Sequence, residues 1–151
     1  MAVAFFDCQA GASGDMILGA LIDAGASLKP IERALARIPG PPIHLETRQV
    51  VRGGLRATQL LLQQDSSSAG SRPFTEFLEL ADSLPLPSAV RERGRAVLQR
   101  LGAAEARGHG LPLEELHLHE LGSVDTLVDV LGTVLALEEL GVEEVYSSPL
   151  P

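Results

Sequence analysis

The sequence predicts an α/β or α+β domain in which about five helices cover a small sheet. An apolar segment at residues 2–6 runs into a glycine-rich turn and then into residues with helical spacing. Two alternating segments flank Gly53-Gly54, which is a strong hairpin signal. Helical periodicity dominates the second half. Hydrophobic residues make up 45% of the 151, so the chain can bury a core, and we expect one domain over residues 1–151.

The first elements are a strand, a turn and two helices. Residues 2–6 are continuously apolar, as is typical of a buried strand. Apolar positions then recur at helical spacing, which predicts a helix that begins near Ser13 or Asp15 and ends at Gly25. A proline at the first helical position favours a second helix at residues 30–37.

The hairpin is the clearest element of the sheet. Its strands are predicted at residues 43–51 and 55–62, on either side of the glycine pair. We expect the N-terminal strand to share one sheet with this hairpin, and a strand at residues 142–147 is a candidate third member. The polar, serine-rich residues 64–72 are interpreted as a mobile loop.

Three helices are predicted in the second half. One lies near residues 74–81, a longer one runs from Pro87 to the glycines that begin at Gly108, and the last spans residues 123–140. The core stripe of the longer helix is predicted to be Val90, Val97, Leu98, Leu101 and Ala104.

Composition excludes several classes of function. The 12 basic and 20 acidic residues give a formal net charge of −8, which disfavours nucleic-acid backbones and anionic membranes. No apolar run approaches the ~18 residues of a membrane span. One cysteine excludes an internal disulfide framework. The short apolar start lacks a basic flank, which argues against a signal peptide, so we expect a cytoplasmic protein.

The glycine-rich turn is the first candidate site. Gly11, Ser13 and Gly14 can bring backbone N–H groups to a substrate phosphate at the start of a helix. The loop matches neither a Walker motif nor a dinucleotide fingerprint. Asp7 and Asp15 add negative charge, which suits a metal-assisted phosphate site and makes them candidate catalytic residues. The alternative is a tight turn with Asp15 as a favourable first-turn acid.

The second candidate site is the histidine pair at His117 and His119. In an extended segment these side chains point to one face, so they could bind one metal together with Glu120. The alternative is two partly exposed histidines in a loop.

The third candidate site is an acidic pair on the last helix. Asp125 and Asp129 share a helical face with Gly132 and Ala136. Like charges four residues apart and a glycine within a helix are both unfavourable, so we expect a cation near the acids and a closely packed segment near the glycine. The alternative is a solvated acidic face.

These motifs together resemble the LarC-type nickel-insertion family. The similarity rests on residues 5–23 (FFDCQAGASGDMILGALID), 52–58 (RGGLRAT), 117–132 (HLHELGSVDTLVDVLG) and 146–151 (YSSPLP), in that order. It covers essentially the whole chain.

The resemblance implies a nickel chelatase of the lyase class, active as a full-length protein. Such proteins insert Ni²⁺ into pyridinium-3,5-bisthiocarboxylic acid mononucleotide, the nickel-pincer cofactor of lactate racemase, in a reaction that uses CTP with Mn²⁺ or Mg²⁺. CTP binding is associated with a C-terminal domain that is absent here, so the chain is interpreted as the N-terminal part of a longer protein. Homo-oligomers and transfer of the product to lactate racemase are compatible with this resemblance.

One departure from the family concerns the segment after the hairpin. Many relatives carry a histidine-rich stretch there, whereas residues 64–71 of this chain contain no histidine. A nickel-storage role for this loop is therefore unsupported.

Two rival hypotheses remain open. The chain could be a non-catalytic assembly domain, in which the acids and histidines form an internal polar network. It could also be a metal-dependent phosphate-ester hydrolase, which would need Asp7, Asp15, Asp125 and Asp129 to converge on one or two metals.

Overall fold

The computed structural model describes residues 1–64, 72–118 and 123–150. They form the expected α/β fold with five α-helices. The helices are α1 (Gly14–Asp23), α2 (Lys29–Leu35), α3 (Phe74–Ser83), α4 (Ser88–His109) and α5 (Val124–Glu139). The strands are β1 (Ala2–Phe6), β2 (Ile43–Arg52), β3 (Leu55–Gln64), β4 (Arg72–Pro73), β5 (His117–Leu118) and β6 (Val142–Ser147). The described parts of the chain include no helix that is long and apolar enough to cross a membrane.

The strands pair two by two. β1 pairs with β6 in parallel, β2 with β3 antiparallel, and the short β4 with β5 antiparallel. The predicted single sheet that joins the N-terminal strand to the hairpin is therefore wrong: over the described residues they lie in separate sheets. The reason is that the hairpin packs on helix α1. A Cβ on Gly19 of α1 would lie 2.5 Å from the carbonyl oxygen of Thr58 on β3, so only glycine permits this approach.

The hairpin turn is the two-residue glycine turn that the sequence predicts. Gly53 and Gly54 have φ values of 56° and 82°, and Arg52 pairs with Leu55 directly across them. A two-residue turn with both central residues at positive φ matches the right-handed twist of the flanking strands, and glycine adopts it without strain. The local sequence therefore determines the register of the whole hairpin.

The buried face of α4 differs from its predicted stripe. Val90 and Leu98 are buried as expected, but Val97 is 45% exposed and Ala104 is also exposed. The buried stripe is Val90, Gly94, Leu98, Gly102 and Ala106. Its two glycines act as close-packing positions: a Cβ on Gly94 would lie 2.4 Å from Leu131 of α5, and one on Gly102 would lie 2.4 Å from the Phe74 ring.

Residues 65–71, most of the predicted mobile loop, lie outside the described residues. The central part of the core is formed by α5, whose buried side chains contact α1, α2 and α4. Because α1 and α5 pack side by side, the loop before α1 and the first turns of α5 come to the same side of the domain.

Candidate functional site

The glycine-rich loop lies at the carboxyl end of β1. Gly11 has a φ of 90°, in the left-handed region, and its N–H donates to the Cys8 carbonyl oxygen at 2.9 Å. The backbone N–H of Cys8 donates to the Ser148 hydroxyl at 2.7 Å, and the N–H of Ser148 donates to the Phe6 carbonyl oxygen at 2.9 Å. The loop is therefore held at its start by the residue that follows β6.

The sequence did not single out Ser148 as part of this region. Parallel pairing explains its position, because the carboxyl ends of two parallel strands lie at the same edge. Cys8, the single cysteine of the chain, is buried, and its thiol lies 3.6 Å from the Phe6 carbonyl oxygen. A correct pairing of the first and last strands would have predicted that Ser148 adjoins the loop.

The start of α1 is open to solvent. Ser13 occupies the N-cap position with extended backbone angles, but its hydroxyl donates to the Asp15 carboxylate and does not cap the helix. Both side chains are exposed. Asp7 is also exposed and accepts a hydrogen bond from the N–H of Gln9 at 3.3 Å. The loop thus presents two carboxylates and the positive end of the α1 dipole to solvent.

The start of α1 lies directly against the second turn of α5. A Cβ on Gly14 would lie 2.4 Å from both the Cβ and the Oδ2 of Asp129, so no larger residue fits without movement. One turn further along α1, Leu18 contacts Gly132, where a Cβ would lie 2.7 Å from its Cδ2. The segment expected to approach the acid-and-glycine stripe of α5 is therefore α1. The first and third candidate sites meet at Gly14 and Asp129.

Asp129 is the electrostatically unusual group of this region. The pKa of its carboxyl is raised from 3.8 to about 6, first by burial and then by repulsion from Asp125 and Asp15. The ion pairs among the described residues do not include Asp129. A divalent cation beside Asp129 would relieve this repulsion, because it favours the ionised carboxylate.

The histidine segment is only partly described. His117 is exposed on β5, opposite Pro73 of β4. His119 and Glu120 lie outside the described residues. Among those that are described, no group of three or more His, Cys, Asp or Glu side chains is arranged to hold a metal ion. The five-ligand metal site, and the roles of the loop residues, therefore stay predictions.

Two clefts of the described surface lie away from this region. One is bordered by Ser88, Arg91 and Arg95 near the start of α4, and another by His44 and Gln64 at the open end of the hairpin. Neither borders Asp129. Asp15 and Asp125, on either side of the contact between Gly14 and Asp129, are exposed to solvent.

Comparisons with known proteins point to one family. Residues 4–151 match the family model described as nickel insertion protein. A protein of Geobacter sp. (strain M21) named "Putative nickel insertion protein" is 40% identical over 151 residues, which is 100% of this chain and 39% of that protein. No solved structure matches the chain.

Two further relatives carry a more specific name, pyridinium-3,5-bisthiocarboxylic acid mononucleotide nickel insertion protein. The one from Desulfitobacterium hafniense (strain Y51) is 37% identical over 150 residues, which is 99% of this chain and 37% of the relative. The one from Staphylococcus epidermidis is 35% identical over 147 residues, which is 97% of this chain and 37% of the relative. This chain thus spans less than two fifths of the length of each of these three relatives.

Proposed function

Because this chain belongs to the nickel insertion protein family, we propose that it is the cation- and phosphate-handling part of a nickel chelatase. The substrate would be the one in the names of its relatives, pyridinium-3,5-bisthiocarboxylic acid mononucleotide, with Ni²⁺ as the inserted ion. The observation that carries the proposal is the contact between Gly14 and Asp129, because it joins the glycine loop to the acids of α5.

The nucleotide that the reaction uses, the enzyme that receives its product and the enzyme class concern the full-length protein. We propose that it uses CTP with Mn²⁺ or Mg²⁺, bound outside this chain, and that its product serves lactate racemase. We further propose a cytoplasmic enzyme of the lyase class.

The acids of α5 would receive the nickel ion. Asp125 and Asp129 are four residues apart on one helical face, and the raised pKa of Asp129 supports a cation there. His117, His119 and Glu120 would complete the ligand set from the segment that precedes α5. Such carboxylate and imidazole ligands bind nickel less tightly than a set of thiolates would. A chelatase needs this property, because it must release the ion to the sulfur atoms of its substrate.

The glycine loop would hold the substrate phosphate. The open start of α1 supports this role, with backbone N–H groups of Gly11, Ser13 and Gly14 as donors. Asp7 and Asp15 would repel a bare phosphate, so a divalent cation would lie between it and these carboxylates. The short distance from Gly14 to Asp129 would keep the phosphate and the incoming nickel on one surface.

Calorimetric titration of the 151-residue chain with Ni²⁺ and Mn²⁺ tests this proposal. We expect Ni²⁺ to bind more tightly than ~10 μM. We expect Asp129→Asn and His117→Ala each to weaken nickel binding at least ~10-fold, because even loss of an outer-shell partner of a metal ligand has an effect of that size. Glu79→Gln is the matched control, because it removes an exposed negative charge on α3, away from this region. Absence of binding, or equal losses in Asp129→Asn and Glu79→Gln, would refute the proposal.

A second candidate function is that of an assembly domain without metal chemistry. The exposure of Phe5 and Tyr146 on neighbouring strands favours it. Under this hypothesis, Asp129→Asn would change the oligomeric state and leave nickel binding unchanged, so nickel binding by this variant separates the two functions.

A further inference from the structure

The β1–β6 strand pair presents apolar side chains to solvent. Phe5 is 65% exposed and its register partner Tyr146 is 55% exposed, while Val3 is 49% exposed. Alternate residues of a strand, and register partners on neighbouring strands, point to the same face. These three side chains therefore form one surface, the strand patch (Val3, Phe5 and Tyr146). Single exposed apolar residues are ordinary, and this group is smaller than the patches of roughly several hundred Å² that mark an interaction surface by themselves, so its significance depends on the strand pairing.

The parallel pairing makes this exposure unusual. Parallel sheets occur almost only where both faces are covered. Here Phe6, on the opposite face, packs against the core, whereas the strand patch is uncovered over the described residues. The β1–β6 sheet thus has the parallel pairing that is typical of buried sheets, although one of its faces is exposed to solvent.

The edge of β1 is also unprotected. Exposed sheet edges usually carry charged residues or prolines, which hinder pairing with another strand. β6 has Glu143 and Glu144, but β1 has neither a charged residue nor a proline from Ala2 to Phe6. Among the described strands β1 pairs only with β6, so its outer edge offers backbone groups to a further strand.

The size of the strand patch indicates which kind of partner could cover it. Five residues on each of two strands have a footprint on the order of 160 Å² at the usual strand spacings. A stable interface between separate molecules buries ~800 Å² on each partner. A segment of the same polypeptide needs far less area, because its effective concentration is in the millimolar range. The relatives supply such a segment, since 37% of the D. hafniense protein corresponds to this chain.

We propose that the strand patch and the free edge of β1 receive a β-strand from the polypeptide that full-length family members carry beyond the stretch matched by this chain. This strand pairs with the outer edge of β1 and has apolar residues at alternate positions, which lie beside Val3 and Phe5 on the same face of the sheet. The sheet of this domain is then completed by the remainder of the protein. The proposal rests on the family's length and on the exposed strands, and it is independent of the nickel chemistry proposed above.

Hydrogen exchange on a full-length protein tests the proposal. In this protein, the 151-residue chain replaces the matched stretch of the D. hafniense relative. We expect the amides of residues 3–6 to exchange at least ~10-fold more slowly in the full-length protein than in the 151-residue chain, because added strand pairing protects them. Equal exchange in the two proteins overturns the proposal. The unmodified D. hafniense protein is measured in parallel, and rapid exchange throughout its first strand overturns the proposal even where the chimeric protein fails to fold.

A pair of matched variants locates the contact. Phe5→Ser removes the centre of the strand patch, whereas Leu55→Ser removes an equally apolar side chain, 75% exposed, beside the hairpin turn. In the full-length protein, we expect Phe5→Ser to restore at least ~10-fold faster exchange at residues 3–6 and Leu55→Ser to change it less than ~2-fold. Equal effects of the two variants contradict the proposal. A second result would also contradict the proposal: slower exchange of residues 3–6 in the 151-residue chain as its concentration rises, together with a doubling of its molecular mass. A second copy of the chain would then cover the strand patch.

Discussion

Replacing Asp129 with asparagine should stabilise the unliganded domain near neutral pH. The side chain is half-buried against Gly14, and its pKa is raised from 3.8 to about 6, first by burial and then by Asp125 and Asp15. Asparagine has nearly the same shape and carries no charge, so Asp129→Asn keeps the packing and removes the unfavourable ionisation.

The magnitude follows from the pKa. Each pKa unit corresponds to ~1.4 kcal/mol, so a rise from 3.8 to about 6 sets a ceiling of about 3 kcal/mol. About half of the side chain reaches water, which screens these interactions, and we therefore expect a gain of about 1 kcal/mol above pH 7. For a domain of this size such a gain raises Tm by about 3 °C.

The pH dependence has a definite sign. The folded state binds the Asp129 proton more tightly than the unfolded state does, so ionisation destabilises the fold. This destabilisation is absent below pH 3.8, develops as the pH rises towards 6, and is complete above that value. The advantage of Asp129→Asn should therefore be present at pH 7.5 and nearly absent at pH 4.

Urea denaturation followed by circular dichroism measures this effect at both pH values. Asp125→Asn is the control on the same helical face: its side chain is exposed, so it removes only one like charge and should gain less than half as much. The reasoning is refuted if Asp129→Asn is less stable than the wild type at pH 7.5, or if its advantage is the same at pH 4.

Three glycine substitutions give further predictions for the same urea assay. Gly19→Ala should lose about 2 kcal/mol despite better helix propensity, because its Cβ would meet the rigid Thr58 carbonyl oxygen at 2.5 Å. Gly14→Ala should lose about 1 kcal/mol, since the Asp129 side chain must move away from the new methyl group. Gly108→Ala is the control, because nothing lies within 4 Å of its Cβ position, and it should gain about 0.5 kcal/mol. A Gly19→Ala protein as stable as Gly108→Ala would contradict the close approach of α1 to the hairpin.

Local features of this chain could be predicted from the sequence. The hairpin depends on two adjacent glycines and on alternating residues beside them, so its register needs no distant contact. The last helix and the strand after it, Val142–Ser147, were also predicted correctly, because Gly141 takes a φ of 65° just beyond the helix. These are short-range effects of backbone geometry.

Partner-dependent features could not be predicted in this way. Gly94 and Gly102 resemble helix-weakening residues in the sequence, yet they form the buried face of α4 because Leu131 and Phe74 pack against them. The sequence predicted that the first and last strands could share a sheet, which their pairing confirms, but it wrongly added the hairpin to that sheet. The buried face of α4 and the composition of the β1 sheet were both predicted without knowledge of the surfaces on which these elements pack.

The candidate site could be predicted only in part. The acids and the glycine of α5 indicated that another group approaches that face, and this prediction is confirmed by the contacts of α1 with Asp129 and Gly132. The sequence alone did not identify the approaching segment. The metal ligands stay a prediction, since two of the five, His119 and Glu120, lie outside the described residues.

An anomalous difference map tests the central claim most directly. Crystals of the chain grown with Ni²⁺ would be measured at the nickel absorption edge. The account predicts a peak about 2.1 Å from a carboxylate oxygen of Asp129, a usual distance for a first-row divalent metal, and close to the glycine loop. Nickel peaks found only at other sites, with none beside Asp129, would contradict it.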